Sequence, residues 1–371
     1  MSSWRGTWSK SAEFSEPLEV LMINVAVIGC GVVGRYHLLA LAKLTTARAA
    51  AVCDLRAEAA EQLAREFRID HWTTDAGALL ADPRIDAVIL ALPAAQRTAL
   101  AMEALAHGKH VLTEKPTAMN AAEVRQLLAR RGTCVAACCS ARYRFFASAQ
   151  AAHEFLRSGA LGPVRVISCR AVQPAGPPPA PPPPAWRLRR DLNGGGVFVN
   201  WGSYDLDYLL GLLDFRLTPR YALARAWPVA RPFAAYAAPN SDAETHLTAL
   251  VTFAEGCVLN YERAEFSTMP RDLRWQIVGE AGTLTLAMTK AKSANVVLTE
   301  PEAAQGTRSR VLWEGDESQL TLDYDGVVFD FVESILQNRR PRTGLEEALL
   351  IARITDAVYA AADRGVPIEV T

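Results

Sequence analysis

Three clusters of residues carry the chemistry open to this sequence. The first is Gly29, Cys30, Gly31, Val32, Val33 and Gly34, a G-x-G-x-x-G pattern directly after the apolar run Val25-Ala26-Val27-Ile28. The apolar run suits a strand buried on both faces. Gly29 permits a tight turn, Gly31 lets the backbone approach a pyrophosphate, and Gly34 lets the next helix pack close to the strand. The helix start then offers free N–H groups and a positive dipole end to phosphate oxygens. Asp54 stands 20 residues after Gly34, at the end of the next apolar run. A carboxylate there accepts hydrogen bonds from the adenosine ribose and repels a 2′-phosphate, so NAD is expected over NADP. Arg56 partly offsets that repulsion.

The second cluster is Gly108-Lys109-His110-Val111-Leu112-Thr113-Glu114-Lys115-Pro116. It sets Lys115 at the C-terminal end of a strand, where a nicotinamide would lie. An ammonium there can hydrogen-bond a reacting hydroxyl and steady its developing negative charge. The third cluster follows Gly194-Gly195-Gly196 and holds Asn200, Tyr204 and Asp207, at spacings of four and three. On a helix that spacing places all three on one face. Taken singly, the lysine also fits a solvated loop and the helix a buried polar edge.

These clusters need a scaffold, and the hydrophobic pattern predicts one. Residues 24–29, 50–53, 86–92, 109–113 and 134–140 read as strands. Helical patterns cover 35–43, 56–67, the stretch from Pro93 to His107, and 120–131, where Asn120 is the expected cap. Repeated βα units imply a parallel, doubly wound sheet with ligands at the strands' C-terminal ends. The pattern changes near Arg144. Residues 163–172, 246–253, 257–264, 273–278, 283–288 and 295–298 read as strands joined by short turns, hence antiparallel. Helical patterns lie at 145–157, 202–213, 327–337 and 345–364. The expected class is therefore α/β, an N-terminal Rossmann domain over 22–143, with an α+β domain over 144–371 built on a large, mostly antiparallel open sheet. The leader, residues 1–21, lacks the apolar core of a secretory signal. The proline-rich run 174–184 is expected as a stiff polyproline segment in a loop of the second domain.

The order of these motifs resembles the glucose–fructose oxidoreductase / inositol dehydrogenase / MocA family from about Asn24 to the C-terminus. The resemblance rests on Gly34-Arg35-Tyr36-His37, Glu114-Lys115-Pro116, Tyr143-Arg144-Phe145, Trp186-Arg187 before the glycines, and the late helix closed by Gly365. It implies an NAD(P)-dependent oxidoreductase moving a hydride to or from a secondary hydroxyl or carbonyl of a sugar, cyclitol or related polyol. It implies that Leu92, Pro93, Glu114, Lys115, Trp186 and Arg187 line the cofactor, with a cis bond before Pro116. It also implies that Lys115, Arg144, Asn200 and Tyr204 meet the substrate, and that a homodimer or homotetramer forms through the open sheet. Lys115, Tyr204 and Asn200 are the expected catalytic residues.

The sequence departs from the family in two places. Many members carry Asp and His where this chain has Asn200 and Tyr204. A phenol begins near pKa 10 and is a harder acid–base group than imidazole. Lys115 and an oxidised nicotinamide are the groups expected to favour its phenolate. Relatives also often have Asn and His in the loop that here reads Pro93-Ala94-Ala95-Gln96-Arg97. The loss of the Asp and His keeps a non-catalytic NAD sensor open, and the resemblance itself implies a further rival, a redox-assisted glycosidase or lyase with bound NAD.

Composition narrows the partners. A net charge of −1 over 371 residues carries no nucleic-acid footprint. The longest apolar stretch, 20–34, is too short and too glycine-rich to span a membrane. Seven cysteines without a Cys-x-x-Cys pair read as reduced thiols of a cytoplasmic protein. Cys134, Cys138 and Cys139 read as one buried strand, so no metal is expected.

Overall fold

A computed structural model describes residues 22–180, 183–289, 294–318 and 324–371. The leader and part of the proline-rich run lie outside the described residues. The first sheet is built from β1 (Ile23–Ile28), followed by α1 (Val32–Leu41), β2 (Ala47–Cys53), α2 (Ala57–Phe67), β3 (His71–Thr73), α3 (Ala76–Ala81), β4 (Ala87–Leu90), α4 (Ala94–Ala106), β5 (His110–Thr113), α5 (Ala121–Arg130) and β6 (Ala136–Cys138). Its order is β3-β2-β1-β4-β5-β6, with every pair parallel. That order reverses beside β1, which opens a crevice at the strands' C-terminal ends. Asn120 caps α5 through its side chain, which accepts from the Glu123 amide.

Two elements of this sheet escaped the periodicity. β3 is three residues, of which His71 and Trp72 are exposed, and α3 is six residues long, so neither shows a hydrophobic period. The strand expected over 134–140 is only Ala136–Cys138, because Cys139–Phe145 tightens into a 3-10 turn.

The second sheet begins after α6 (Ala147–Arg157), with β7 (Val164–Pro174). A short α7 (Arg190–Asn193) and α8 (Ser203–Leu212) precede β8 (Pro219–Pro228), β9 (Glu244–Phe253), β10 (Val258–Ser267), β11 (Asp272–Gly279), β12 (Thr283–Leu286), β13 (Ala294–Glu302) and β14 (Gly306–Gly315). The chain closes with α9 (Asp325–Leu336), α10 (Leu345–Arg364) and β15 (Ile368–Glu369). The nine strands run β14-β13-β12-β11-β7-β10-β9-β8-β15. All pairs are antiparallel except β7 with β10, which is parallel. The short-turn argument covers only consecutive strands. β7 and β10 meet after a long excursion that carries α8, and such a crossover permits a parallel pair.

Buried side chains form three clusters. One covers the face of the first sheet under α1 and also holds Tyr324, Val327, Val328, Phe331 and Val332 from the start of α9. A second lies under α3, α4 and α5 and receives Leu345 and Ala348 of α10. The third joins the second sheet to α6, α8 and the rest of α10. The C-terminal helices thus return to the first sheet, which brings Tyr324 towards residues from the middle of the chain. The other face of the second sheet exposes Tyr221, Leu223, Trp227 and Leu250. The proline-rich run is anchored at its start: Pro174 ends β7, Ala175 donates to Ser267, and Gly176 accepts from the Tyr236 hydroxyl. Among the described residues no helix is long and apolar enough to cross a membrane.

Candidate active site

The glycine motif closes β1. Gly29 has φ +104°, and a Cβ there would lie 2.3 Å from the Ala91 carbonyl oxygen, so only glycine fits. A Cβ on Gly34 would fall 1.9 Å from the Gly29 oxygen, which lets α1 start directly against the turn. Gly31 is different: a Cβ there would meet nothing within 4 Å. It is the N-cap of α1 and has no side-chain cap, so the first amides of the helix stay available to a ligand. Val32 is exposed beside it, whereas Val33 packs partly on the core.

Asp54 follows β2 and reaches the same loop. Its carboxylate accepts from the Cys30 amide at 2.9 Å and the Arg56 amide at 3.0 Å. The Arg56 guanidinium is 3.5 Å away. Cys30, Gly31, Val32, Arg35, Arg56 and Glu58 line a groove of about 370 Å³. Leu92 and Pro93 follow β4, and Leu92 packs against Gly29. An open helix start, a glycine cradle and a carboxylate gathered at the C-terminal ends of β1 and β2 fit a dinucleotide.

Glu114 and Lys115 extend from β5, and the Lys115–Pro116 bond is cis. Glu114 is buried and bonded by the His37 ring at 3.1 Å and the Lys115 amide at 3.1 Å. Burial alone would raise its pKa, but His37, Lys115 and Arg97 hold it down at about 2. His37, Glu114 and Cys139 bring their polar atoms within 4.8 Å of one another. There the carboxylate is already occupied by its hydrogen bonds.

The Lys115 ammonium donates to the Asn200 carbonyl at 2.7 Å and sits 5.1 Å from the centre of the Tyr204 ring. Burial lowers its pKa to about 8. Glu114 opposes that shift, while Arg97, Arg187 and Arg142 reinforce it. Tyr204 is 5 % exposed and packs edge-on against Tyr143. Its phenol is not poised for ionisation. Burial, Tyr324 and Glu114 push its pKa well above the ordinary value, and Arg142 only partly offsets them. The Lys115 ammonium bonds the Asn200 carbonyl and lies beside the ring, and it is not among the groups that lower the phenol here.

The other expected residues divide. Residues Phe198–Gly202 form a π-helical turn, so Asn200 lies outside α8 and the one-face argument does not extend to it. The Asn200 side chain accepts from Asn193 at 3.3 Å and donates to the Arg187 carbonyl at 3.4 Å. The Arg187 guanidinium pairs with Glu265 at 3.0 Å, and Trp201 donates to the same carboxylate at 2.9 Å. Trp186 is exposed beside them. Arg144 is engaged elsewhere. Its guanidinium is committed to Asp207 at 2.6 Å, the Arg342 carbonyl and Thr343, a network that ties α8 to the loop before α10. From that segment it is Arg142 that faces Tyr204, with its guanidinium carbon 5.8 Å from the ring centre.

Sequence reasoning missed Arg142, Tyr324 and Glu265. Arg142 is two residues from a motif arginine, with nothing in its spacing to mark it. Tyr324 is far along the chain and arrives only because α9 packs on the first sheet. Glu265 lies within β10, one residue past the strand expected over 257–264. Asp205 and Glu244 are buried acids with structural partners. Asp205 accepts from Arg263, Tyr261 and Trp275, and Glu244 holds the Gly196 and Phe198 amides.

A parallel sheet with a glycine-cradled crevice, and a lysine after β5 that meets a tyrosine of α8, fit a nicotinamide-dependent oxidoreductase. The Gfo/Idh/MocA sequence model described as an oxidoreductase family with an NAD-binding Rossmann fold matches residues 23–134, and the family's C-terminal domain model matches 149–285. The chain belongs to this family. It is 26% identical to scyllo-inositol 2-dehydrogenase (NAD(+)) of Bacillus subtilis, over 74% of this chain and 77% of that protein. It is 31% identical to D-glucoside 3-dehydrogenase of Escherichia coli, over 56% and 57%. Its fold matches levoglucosan dehydrogenase in complex with NADH and levoglucosan, with a TM-score of 0.79 at 19% identity, over 94% of this chain and 99% of that one.

Proposed function

We propose that this protein transfers a hydride between NAD and a secondary hydroxyl or carbonyl of a sugar, cyclitol or related polyol. The observation that carries the reading is the Lys115 ammonium beside the Tyr204 ring, just past the C-terminal end of β5, in the same parallel sheet whose β1 ends at the glycine crevice. When bound, NAD would accept the hydride of a hydroxyl substrate and NADH would supply it to a carbonyl. Lys115 polarises the substrate oxygen and stabilises negative charge on it. Tyr204, held protonated at neutral pH, is the proton donor to that oxygen when a carbonyl is reduced. Asn200 acts mainly through its carbonyl, which orients Lys115. Arg187 and Trp186 border the cleft.

Asp54 supports NAD over NADP, because its carboxylate would face a 2′-phosphate. The exposed apolar side chains of the second sheet support a homodimer or homotetramer through that face. The free, mostly buried cysteines support a reducing, cytoplasmic setting. We take 22–143 and 144–371 as the two functional units. The relatives named above are dehydrogenases, which favours net hydride transfer over the lyase and sensor readings. The test is turnover of a polyol and keto-sugar panel followed at the NADH absorbance band. If Tyr204→Phe and Lys115→Ala both keep wild-type turnover on a substrate so found, the assignment is wrong.

A further inference from the structure

The residues around Lys115 do not balance in charge. Arg97 is 1 % exposed, and its Nε and Nη1 have no hydrogen-bond partner. Arg142 is 7 % exposed, its Nε is likewise unpartnered, and its guanidinium lies among the rings of Tyr143, Tyr204 and Tyr324 at 5.2, 5.8 and 4.6 Å. Among the described residues neither arginine forms an ion pair. The neighbouring carboxylates are already committed: Asp207 to Arg144, Asp205 to Arg263, and Glu265 to Arg187. Glu114 is the remaining acid. Lys115, Arg97 and Arg142 therefore stand as three cations against one carboxylate, a surplus of two positive charges in a mostly buried site.

An uncompensated buried charge is costly unless something of opposite sign binds there. Arg97 sits deep in the protein, whereas the Arg142 guanidinium stands beside Tyr204, 5.8 Å from its ring centre. Negative charge developing on the reacting oxygen offsets one unit at Lys115. One further monoanion completes the balance, and a planar guanidinium matches a carboxylate.

We propose that the substrate is an acidic sugar, one whose carboxylate is held by Arg142 while Lys115 and Tyr204 meet the reacting oxygen. This rests on the reading of Lys115 and Tyr204 as the reacting pair. It adds the substrate class. A dianionic phosphate sugar would overshoot the charge, and a neutral polyol would leave Arg142 unmatched.

The experiment uses the full chain saturated with NADH. Binding of D-glucuronate, D-galacturonate, D-glucose, D-galactose and glucose 6-phosphate is measured by calorimetry at low and high salt. The same sugars are then offered with NAD, and reduction is followed by absorbance. The expected result is a uronate bound at least tenfold tighter than its neutral hexose, with the margin shrinking in salt. Arg142→Gln should abolish the margin and Arg142→Lys should retain part of it. The comparison on the unsubstituted protein stands even if a variant fails to fold. Equal or tighter binding of the neutral hexoses, or a preference for the phosphate sugar alone, overturns the proposal. So does a uronate preference that survives in folded Arg142→Gln. Hydride transfer from neutral sugars only would sink the acidic substrate and leave the oxidoreductase reading intact. A uronate preference without reduction of NAD would support the anion site and count against Lys115 and Tyr204 as the reacting pair.

Discussion

Lys115 offers the sharpest test, because its protonation is tied to its surroundings. Its pKa falls from 10.5 to about 8, first through burial, then through Arg97, Arg187 and Arg142, with Glu114 opposing. The sign follows directly. The ammonium is present below about pH 8 and is lost as pH rises through that value. If it must polarise the substrate carbonyl, kcat/KM for reduction with saturating NADH is flat up to neutrality. It then declines about tenfold per pH unit on the alkaline side. Tyr204 cannot produce this limb, because its phenol titrates well above its ordinary value. In Lys115→Arg the guanidinium stays charged throughout, so the limb disappears although the rate is lower. Lys115→Ala loses the limb and about 10²–10³ in kcat. Initial rates from pH 6 to 10, with stability checked at each pH, read these outcomes. A flat wild-type profile across pH 8, or the same limb in Lys115→Arg, refutes the role given to this ammonium.

Other expectations follow from single contacts. Removing one reinforcing cation in Arg142→Gln raises the Lys115 pKa, so the alkaline limb moves to higher pH in the same assay. Tyr204→Phe should lower kcat by about 10²–10⁴, the usual worth of a positioned proton donor, while NADH affinity measured by fluorescence stays near wild type. Asp54→Ala removes the carboxylate that opposes a 2′-phosphate; the ratio of NAD to NADP efficiency should fall at least tenfold, and an unchanged ratio would remove Asp54 from cofactor choice. Gly34→Ala puts a methyl group 1.9 Å from the Gly29 oxygen, so the urea midpoint should drop by the equivalent of about 1–3 kcal/mol or more. Asp205→Ala strips the partner from the fully buried Arg263 and should cost about 3–5 kcal/mol by the same measurement.

Much of this molecule is determined within short stretches of sequence. The glycine turn, the apolar run before it and Asp54 after it are local patterns, and hydrophobic period alone separates β1, α2, β5 and α10. Motif order then marked Lys115 and Tyr204 from segments far apart in the chain. Elements too short to show a period, such as β3, were invisible, and so was the parallel pairing of β7 with β10, which depends on where a long excursion returns.

The site's electrostatics belong to the tertiary structure. Arg97 from α4, Lys115 from the end of β5, Arg142 from a 3-10 turn, Tyr204 from α8 and Tyr324 before α9 are scattered along the chain. No spacing announces that they share one desolvated volume. Arg142 and Arg144 differ by two positions and by no property a sequence displays. Packing alone commits Arg144 to Asp207 and leaves Arg142 without an ion pair among the described residues, its Nε unpartnered. The physical reason is that backbone propensity and hydrophobic period act over a few residues, whereas charge interacts through space. The residues available for the chemistry were thus set by sequence. Which of them stay charged, and which remain free to meet a ligand, was settled by folding.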